Sequence, residues 1–224
     1  MTTSGTTTFN LTIDEIISEA FERCGMQITN GNQLKSARRS LNLIFMEWAS
    51  RGLNLWTIEE ESIPLISSSP EWNLPTDTVD ILSAVVRDMS QPPGIDISIQ
   101  RISRSEYLNT PNKTVQARPS QFYVQRTIQP KVFLYPAPGG GGGPYELRFY
   151  RIRRIQDAGE YINTAEVDFR FLPCLVAGLS YQISLKYAAD RSMALKQLYE
   201  EEFARAASED RDRASVYFVP EIGC

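Results

Sequence analysis

The sequence contains no histidine. Without imidazole, the chain cannot carry Ser-His-Asp or Cys-His catalysis, His-ligated zinc, or His acid–base chemistry near neutral pH. Cysteine is scarce as well: the three residues are Cys24, Cys174 and Cys224, with no CxxC pair. This spacing argues against a zinc site and a disulfide framework, and it is typical of a reducing compartment. We therefore expect no metal and no cofactor, and we expect Cys24 and Cys174 to be buried in helices.

Long apolar runs and a strong charge are also missing. No stretch approaches the roughly 20 apolar residues of a membrane span, and residues 1–9 lack the basic start and apolar core of a signal peptide. We expect a soluble protein with a flexible segment over residues 1–10. The net charge is −4, which argues against a protein that coats nucleic acid.

Helical periodicity occurs near the two ends of the chain. Thr12 and Glu15 form a capping-box pattern that begins a first helix, and Gly25 ends it. A second helix ends at Gly52 and has apolar residues at steps of three and four. Those residues are Leu34, Ala37, Leu41, Ile44 and Trp48. Two more helices are predicted toward the C-terminus, the first of which begins beside Pro173.

The middle of the chain has the period of β-strands, interrupted by turn-forming Pro, Gly, Asn and Ser. The predicted strands are Ser62–Ile66, Val79–Met89, Ile95–Arg101, Gln121–Arg126, Lys131–Tyr135 and Tyr145–Ile155. Val79–Val86 is apolar at both parities, which predicts a central strand. Ile95, Ile97 and Ile99 alternate with polar residues, which predicts one buried face. Arg104–Asn109 has the pattern of a short capped helix.

Helices at the ends and strands in the middle indicate an α+β fold rather than a parallel βαβ sheet. We expect a helical bundle formed by the N- and C-terminal helices, residues 11–56 and 168–212, with an inserted antiparallel β domain, residues 57–167. Residues 213–224 would then form an extended C-terminal arm.

A run of glycines lies between Pro138 and Pro144. Its members are Gly139, Gly140, Gly141, Gly142 and Gly143. A phosphate-binding loop needs a Lys and a Ser or Thr after its glycines and then a helix, whereas a strand follows here. A flexible hairpin tip is the simpler interpretation. The functional interpretation is a loop that becomes ordered against a partner protein.

The arginines cluster in one predicted strand, and the acidic residues form two runs. The arginines are Arg148, Arg151, Arg153 and Arg154. The acidic runs are Glu59–Glu61 and Glu200–Glu202. Interleaved aromatic residues resemble those of a single-strand nucleic-acid surface, but no RNA-binding motif accompanies them. Solvated strand ends, or ion pairs between subunits that involve these arginines with Glu200 and Glu201, are the favoured interpretation.

A catalytic carboxylate pair would need one buried member with a perturbed pKa. Only Glu59–Glu61, Glu160 and Glu166 are candidates for it. Three consecutive acids point in different directions, so solvation or pairing between subunits explains Glu59–Glu61 more simply. We therefore expect no catalytic residues and no enzyme activity.

An apolar cluster follows the highly charged end of the last helix. It consists of Val216, Tyr217, Phe218, Val219 and Pro220. Apolar residues at a terminus either dock on their own domain or bury against a partner. Both possibilities stay open on the residue pattern alone, although exposed aromatic residues of this type dominate interfaces.

Three segments together have the pattern of a known family. The first reads Ala37-x3-Leu41-Asn42-x5-Trp48-x3-Gly52-Leu53-Asn54-Leu55-Trp56. The others are the strand Tyr145–Ile155 and the helix Leu172–Tyr187, which begins at Pro173 and contains small residues. Over most of residues 11–210 the chain resembles the head-to-tail adaptor proteins of short-tailed bacteriophages.

This resemblance implies a structural protein of the virion, at the junction of capsid vertex and tail. Such adaptors form a ring, typically of twelve copies, beneath the portal protein, and their C-terminal arm grips the portal. The ring closes the DNA-filled capsid, carries the tail nozzle and passes double-stranded DNA during ejection without sequence-specific binding. Assembly would take place in the host cytoplasm, without a membrane. The alternatives are a nucleic-acid-binding regulator that uses Arg148–Arg154 and a tail-associated cell-wall hydrolase.

Overall fold

The computed structural model describes residues 5, 10–52, 55–66, 68–90, 92–139 and 143–209. Its helices are α1 (Ile13–Arg23), α2 (Gly31–Arg51), α3 (Arg104–Asn109), α4 (Leu172–Tyr187) and α5 (Ser192–Glu209). Its strands are β1 (Ile58–Leu65), β2 (Glu71–Asn73), β3 (Thr78–Asp88), β4 (Ile95–Ser98), β5 (Gln100–Arg101), β6 (Gln116–Ala117), β7 (Gln121–Gln125), β8 (Lys131–Tyr135), β9 (Ala137–Pro138) and β10 (Tyr145–Arg153). The predicted α+β class is confirmed.

The chain divides into two compact units by contact. One contains Met1–Trp56 with Ile155–Cys224, and the other contains Thr57–Arg154. Residues 155–167, on the N-terminal side of the predicted boundary at residue 168, group with the helices. The backbone explains this grouping, because the N–H groups of Ile13 and Asp14 at the start of α1 donate to the carbonyls of Asn163 and Tyr161.

The helical unit is built on α4, which packs against α1, α2 and α5. Nine of its residues are buried, as expected for a helix with neighbours on several sides. Gly178 permits the close approach of α5, because a Cβ there would lie 2.8 Å from Cε2 of Tyr199. None of the described helices combines the length and the hydropathy that crossing a bilayer requires.

The predicted helix boundaries are confirmed where capping residues mark them. Thr12 and Glu15 form both hydrogen bonds of a capping box at the start of α1. Asn30 and Gln33 form the same box at the start of α2, although the sequence pattern had not marked this start. Gly52 ends α2 in the left-handed conformation, with φ at 82°, which glycine adopts without steric cost.

The β unit contains two four-stranded sheets that share one apolar core. The first has the order β1-β10-β3-β4 and is antiparallel throughout. The second has the order β2-β8-β7-β5. In it β5 runs parallel to β7, and outside both sheets β6 pairs in parallel with β9. The core contains Phe122, Val132, Leu134, Leu147 and Phe149, among others.

All six predicted segments form strands, although Ile95–Arg101 is divided between β4 and β5, which belong to different sheets. β3 lies in the interior of its sheet as predicted, yet Val79 is 43% and Leu82 49% exposed, so only one of its faces is covered. β4 is an edge strand whose isoleucine face is covered only in part: Ile95 is 63% exposed, whereas Ile99, just after β4, is 8% exposed. Alternation predicts that one face is buried only where a second layer extends over the whole strand.

Candidate assembly surfaces

The arginines of β10 face the acidic run of β1 across an antiparallel strand pair. Glu59 lies directly opposite Arg151 in the register. The Arg151 guanidinium lies 2.8 Å from an oxygen of Asp77 and 3.2 Å from oxygens of both Glu59 and Glu61. Arg153 lies 2.5 Å from the other oxygen of Glu59. We call these five residues the β1–β10 ion cluster.

Arg151 is only 6% exposed, so its charge depends on these carboxylates for solvation. Arg148 contacts Glu60 at 3.6 Å and Glu146 at 3.4 Å. Arg154 donates to the carbonyl of Thr76. The four predicted arginines thus have acceptors within their own chain, and their pairing with a neighbouring subunit stays a prediction.

The second acidic run lies on α5, where Glu200 and Glu201 make different contacts. Glu200 accepts two hydrogen bonds of 2.9 Å from the guanidinium of Arg51 on α2, and they hold the pKa of Glu200 below its usual value. Arg51 also pairs with Glu47 at 2.6 Å. Among the described residues, Glu201 accepts from Gln197 alone, one turn earlier on its own helix. The pairing of Glu200 and Glu201 with another subunit stays a prediction as well.

The described residues offer little to a catalytic mechanism. Each carboxylate of Glu59–Glu61 contacts an arginine, while Glu160 and Glu166 lie in the segment that leads to α4. Cys24 and Cys174 are buried, and burial raises the pKa of the Cys174 thiol to about 12, so it stays protonated at neutral pH. Over the described ranges, no three acidic or cysteine side chains converge into a possible metal site.

An apolar groove opens on the helical unit between α1 and the start of α4, with a volume of about 730 Å³. Its apolar wall consists of Leu11, Phe169, Leu172, Pro173 and Val176. Glu15, Glu19 and Arg23 line it from α1. Phe169 is 57% exposed at this position. We call this feature the α1/α4 groove.

The solvent side of α2 carries a stripe of four residues at helical spacing. The stripe consists of Lys35, Arg39, Leu43 and Met46, and we call it the α2 outer face. Among the described residues, no carboxylate pairs with Lys35 or Arg39. Leu43 is 58% exposed and Met46 is 68% exposed. The face is therefore positive at its N-terminal half and apolar at its C-terminal half.

Part of the predicted site lies outside the described residues. This applies to Val216, Tyr217, Phe218, Val219, Pro220 and Gly140–Gly142, and also to Leu53 and Asn54 of the adaptor-like pattern. The two outer glycines of the run are described: Gly139 has φ at 146° and Gly143 has φ at 103°. A side chain at either position would be strained, so these two glycines are required by the backbone.

The α1/α4 groove and the α2 outer face were not predicted from the sequence. Leu172 and Val176 belong to the helix predicted over Leu172–Tyr187, and their contribution to a groove depends on the packing of α1 beside α4. A signal did exist for α2, because Leu43 and Met46 fall off the core stripe that contains Leu41 and Trp48. Apolar residues opposite a complete core stripe indicate a contact surface.

A family model described as SU10 adaptor protein matches residues 11–221, almost the whole chain. Among curated proteins, none matches it.

Proposed function

Because the chain belongs to the SU10 adaptor protein family, which makes it a structural head–tail adaptor of a bacteriophage virion, we propose that it forms a ring that docks on the portal protein. The ring, of twelve copies, closes the DNA-filled capsid and offers a platform for the tail nozzle. The match across residues 11–221 carries this proposal.

Within this role the C-terminal segment and the glycine run contact different partners. Residues 213–224 form the arm that grips the portal, with Val216–Pro220 as its apolar anchor. The run Gly139–Gly143 forms a loop that becomes ordered against the tail protein. The ring assembles in the host cytoplasm and remains in the virion, where its channel passes DNA during ejection.

The charge of the chain supports a conduit rather than a DNA-binding protein. Attraction to phosphates would slow the transit of DNA, and a chain with a net charge of −4 offers little of it. The arginines that a nucleic-acid-binding regulator would use are engaged: Arg151 and Arg153 contact carboxylates of β1. Ion pairs with arginines also engage Glu59, Glu60 and Glu61, three of the five acidic residues that a cell-wall hydrolase would use. In the proposed role the chain acts without catalysis.

The test is reconstitution with the portal protein of the same virion. Purified chain and portal are mixed, and the complex is examined by native mass spectrometry and negative-stain microscopy. We expect a ring of this protein on one end of the portal. The proposal is overturned by failure to bind the portal, by DNA binding whose affinity falls steeply with salt, or by turnover of peptidoglycan.

A further inference from the structure

Two surfaces of the helical unit carry opposite charges, each beside exposed apolar side chains. The α1/α4 groove and the α2 outer face share no residue. In a head-to-tail interface each subunit needs two different surfaces that complement each other. The groove and the α2 outer face meet this requirement because they lie on different parts of one subunit.

The groove side is acidic. Glu15 and Glu19 line the groove, and Glu22 follows three residues later on α1 without lining it; all three side chains are exposed. Among the described residues that line the groove, Arg23 is the cation, and it pairs with Glu19 at 2.9 Å. Two acidic side chains against one cation leave the lining net negative, and Glu22 adds a negative charge beside it, so a cationic partner is favoured at this rim.

The α2 outer face is the complementary surface. Lys35 and Arg39 would meet the acidic rim, and Leu43 and Met46 would meet the apolar wall. This wall includes Leu172 and Phe169, and Phe169 is 57% exposed. An amphipathic helix that places residues at helical spacing into an apolar groove is a common mode of recognition.

We propose that the α2 outer face of one copy docks in the α1/α4 groove of the next copy. This inference rests on the proposed function, the formation of a ring. The contact is heterologous, so each subunit donates its α2 and offers its groove. Repetition of this contact closes the ring when the rotation between copies permits it.

Other occupants fit less well. Residues 210–224 of the same chain contain three acidic residues and two arginines, so this segment has no excess of positive charge to offer the acidic rim. DNA phosphates would be attracted to Lys35 and Arg39, but they would leave Leu43 and Met46 without an apolar partner.

Charge exchange between the two surfaces tests the contact. One variant carries Lys35→Glu with Arg39→Glu, and the other carries Glu19→Lys with Glu22→Lys. Glu15 is left unchanged because it completes the capping box of α1. In either variant alone, like charges face each other across the contact and oppose docking. We expect each variant to load the portal at least about tenfold less than the wild type at equal concentration.

An equimolar mixture of the two variants should restore loading, because each acidic α2 meets a basic α1. The chain that carries all four substitutions should also load, because both of its surfaces are exchanged. A protein that had merely misfolded would show neither rescue. Lys196→Glu with Arg205→Glu on α5 is the matched control for the α2 variant, because it changes the net charge by the same amount. We expect this control to load the portal normally.

The outcomes separate the inference from the proposed function. If the wild type does not bind the portal, the proposed function fails. If the wild type loads the portal and both variants load it as well as the wild type does, only the inference is overturned. It is also overturned if the mixture or the fourfold variant does not recover loading. Loss of portal binding by the Glu19 and Glu22 variant alone would identify the portal as the occupant.

Discussion

At the residue scale, Trp48 joins three helices of the helical unit. Its side chain is fully buried and packs on Phe171 just before α4. The indole N–H donates to the hydroxyl of Tyr199 on α5 at 3.0 Å, and this hydroxyl donates to Glu47 at 3.2 Å. Burial raises the pKa of Tyr199, so the hydroxyl keeps its proton throughout the neutral range.

We expect Trp48→Ala to lower the free energy of unfolding by about 3–5 kcal/mol, because a large side chain and a buried hydrogen bond are lost together. Urea unfolding followed by circular dichroism measures the change. Leu43→Ala on the exposed side of α2 is the control and should change the midpoint little. An equal midpoint for Trp48→Ala and the wild type would show that Trp48 contributes little to the core.

Glu200 predicts a dependence of stability on pH. Hydrogen bonds from Arg51 lower its pKa from 4.5 in the folded chain, so the unfolded chain binds the proton more readily. The stabilisation is present above pH 4.5 and disappears as the pH falls through the folded pKa. We expect Glu200→Gln to be less stable than the wild type at pH 7. The difference should shrink toward zero in acid, as measured by unfolding midpoints at several pH values.

A difference between Glu200→Gln and the wild type that stayed constant from pH 7 to acid would contradict this assignment. Glu201→Gln is the matched control, since Glu201 has Gln197 as its one hydrogen-bond partner in the part of the chain that the structure describes. Its midpoint should follow that of the wild type at every pH.

At the scale of elements, the β1–β10 ion cluster stabilises the first sheet. Removal of the Arg151 guanidinium would take a cation from Glu59, Glu61 and Asp77, of which Glu59 would still pair with Arg153. We expect Arg151→Ala to reduce the free energy of unfolding by about 1.5–3 kcal/mol. Arg148→Ala, whose ion pairs are longer and more exposed, should cost at most about 1 kcal/mol.

Thermal unfolding of both arginine variants checks this order. An equal loss of stability in Arg151→Ala and Arg148→Ala would show that burial of the ion cluster does not increase its contribution to stability. Normal stability of Arg151→Ala together with loss of portal loading would instead favour the pairing between subunits that the residue pattern suggests.

The glycine run should tolerate shortening but not substitution at its outer positions. Deletion of Gly141 and Gly142 should leave the midpoint of thermal unfolding almost unchanged, because loop-closure entropy varies slowly with length. Gly139→Ala should destabilise by about 1 kcal/mol or more. Its Cβ would lie 3.1 Å from Oε1 of Gln116, and φ is 146°. Loss of soluble protein on shortening would mean that the run is structural.

At the scale of the whole molecule, the proposed arm and the proposed ring contact can be separated. We expect deletion of Ser215–Cys224 to leave the midpoint of thermal unfolding unchanged and to abolish attachment to the portal, because Val216–Pro220 provide the anchor. Pull-down on immobilised portal measures attachment. Tyr217→Ser with Phe218→Ser keeps the length of the segment and should have the same effect. Normal attachment of the shortened chain would refute the arm.

The sequence by itself determined the local features of this protein. The capping box at Thr12 and the stop at Gly52 specify helix ends through interactions within a few residues, and the core stripe of α2 specifies its buried side, whereas the box at Asn30 was not predicted. The α+β class followed from the change of period along the chain. The short strands β2, β6 and β9 were missed because two or three residues show no period.

Only the tertiary structure decided which side chains meet. The register of β1 against β10 placed Glu59 opposite Arg151, and the packing of α1 beside α4 created the groove. Such contacts join residues far apart in the chain, and their geometry depends on sheet register and helix packing rather than on local propensity. The covered and exposed sides of β3 and β4 were decided in the same way, since burial depends on which layer lies above a strand.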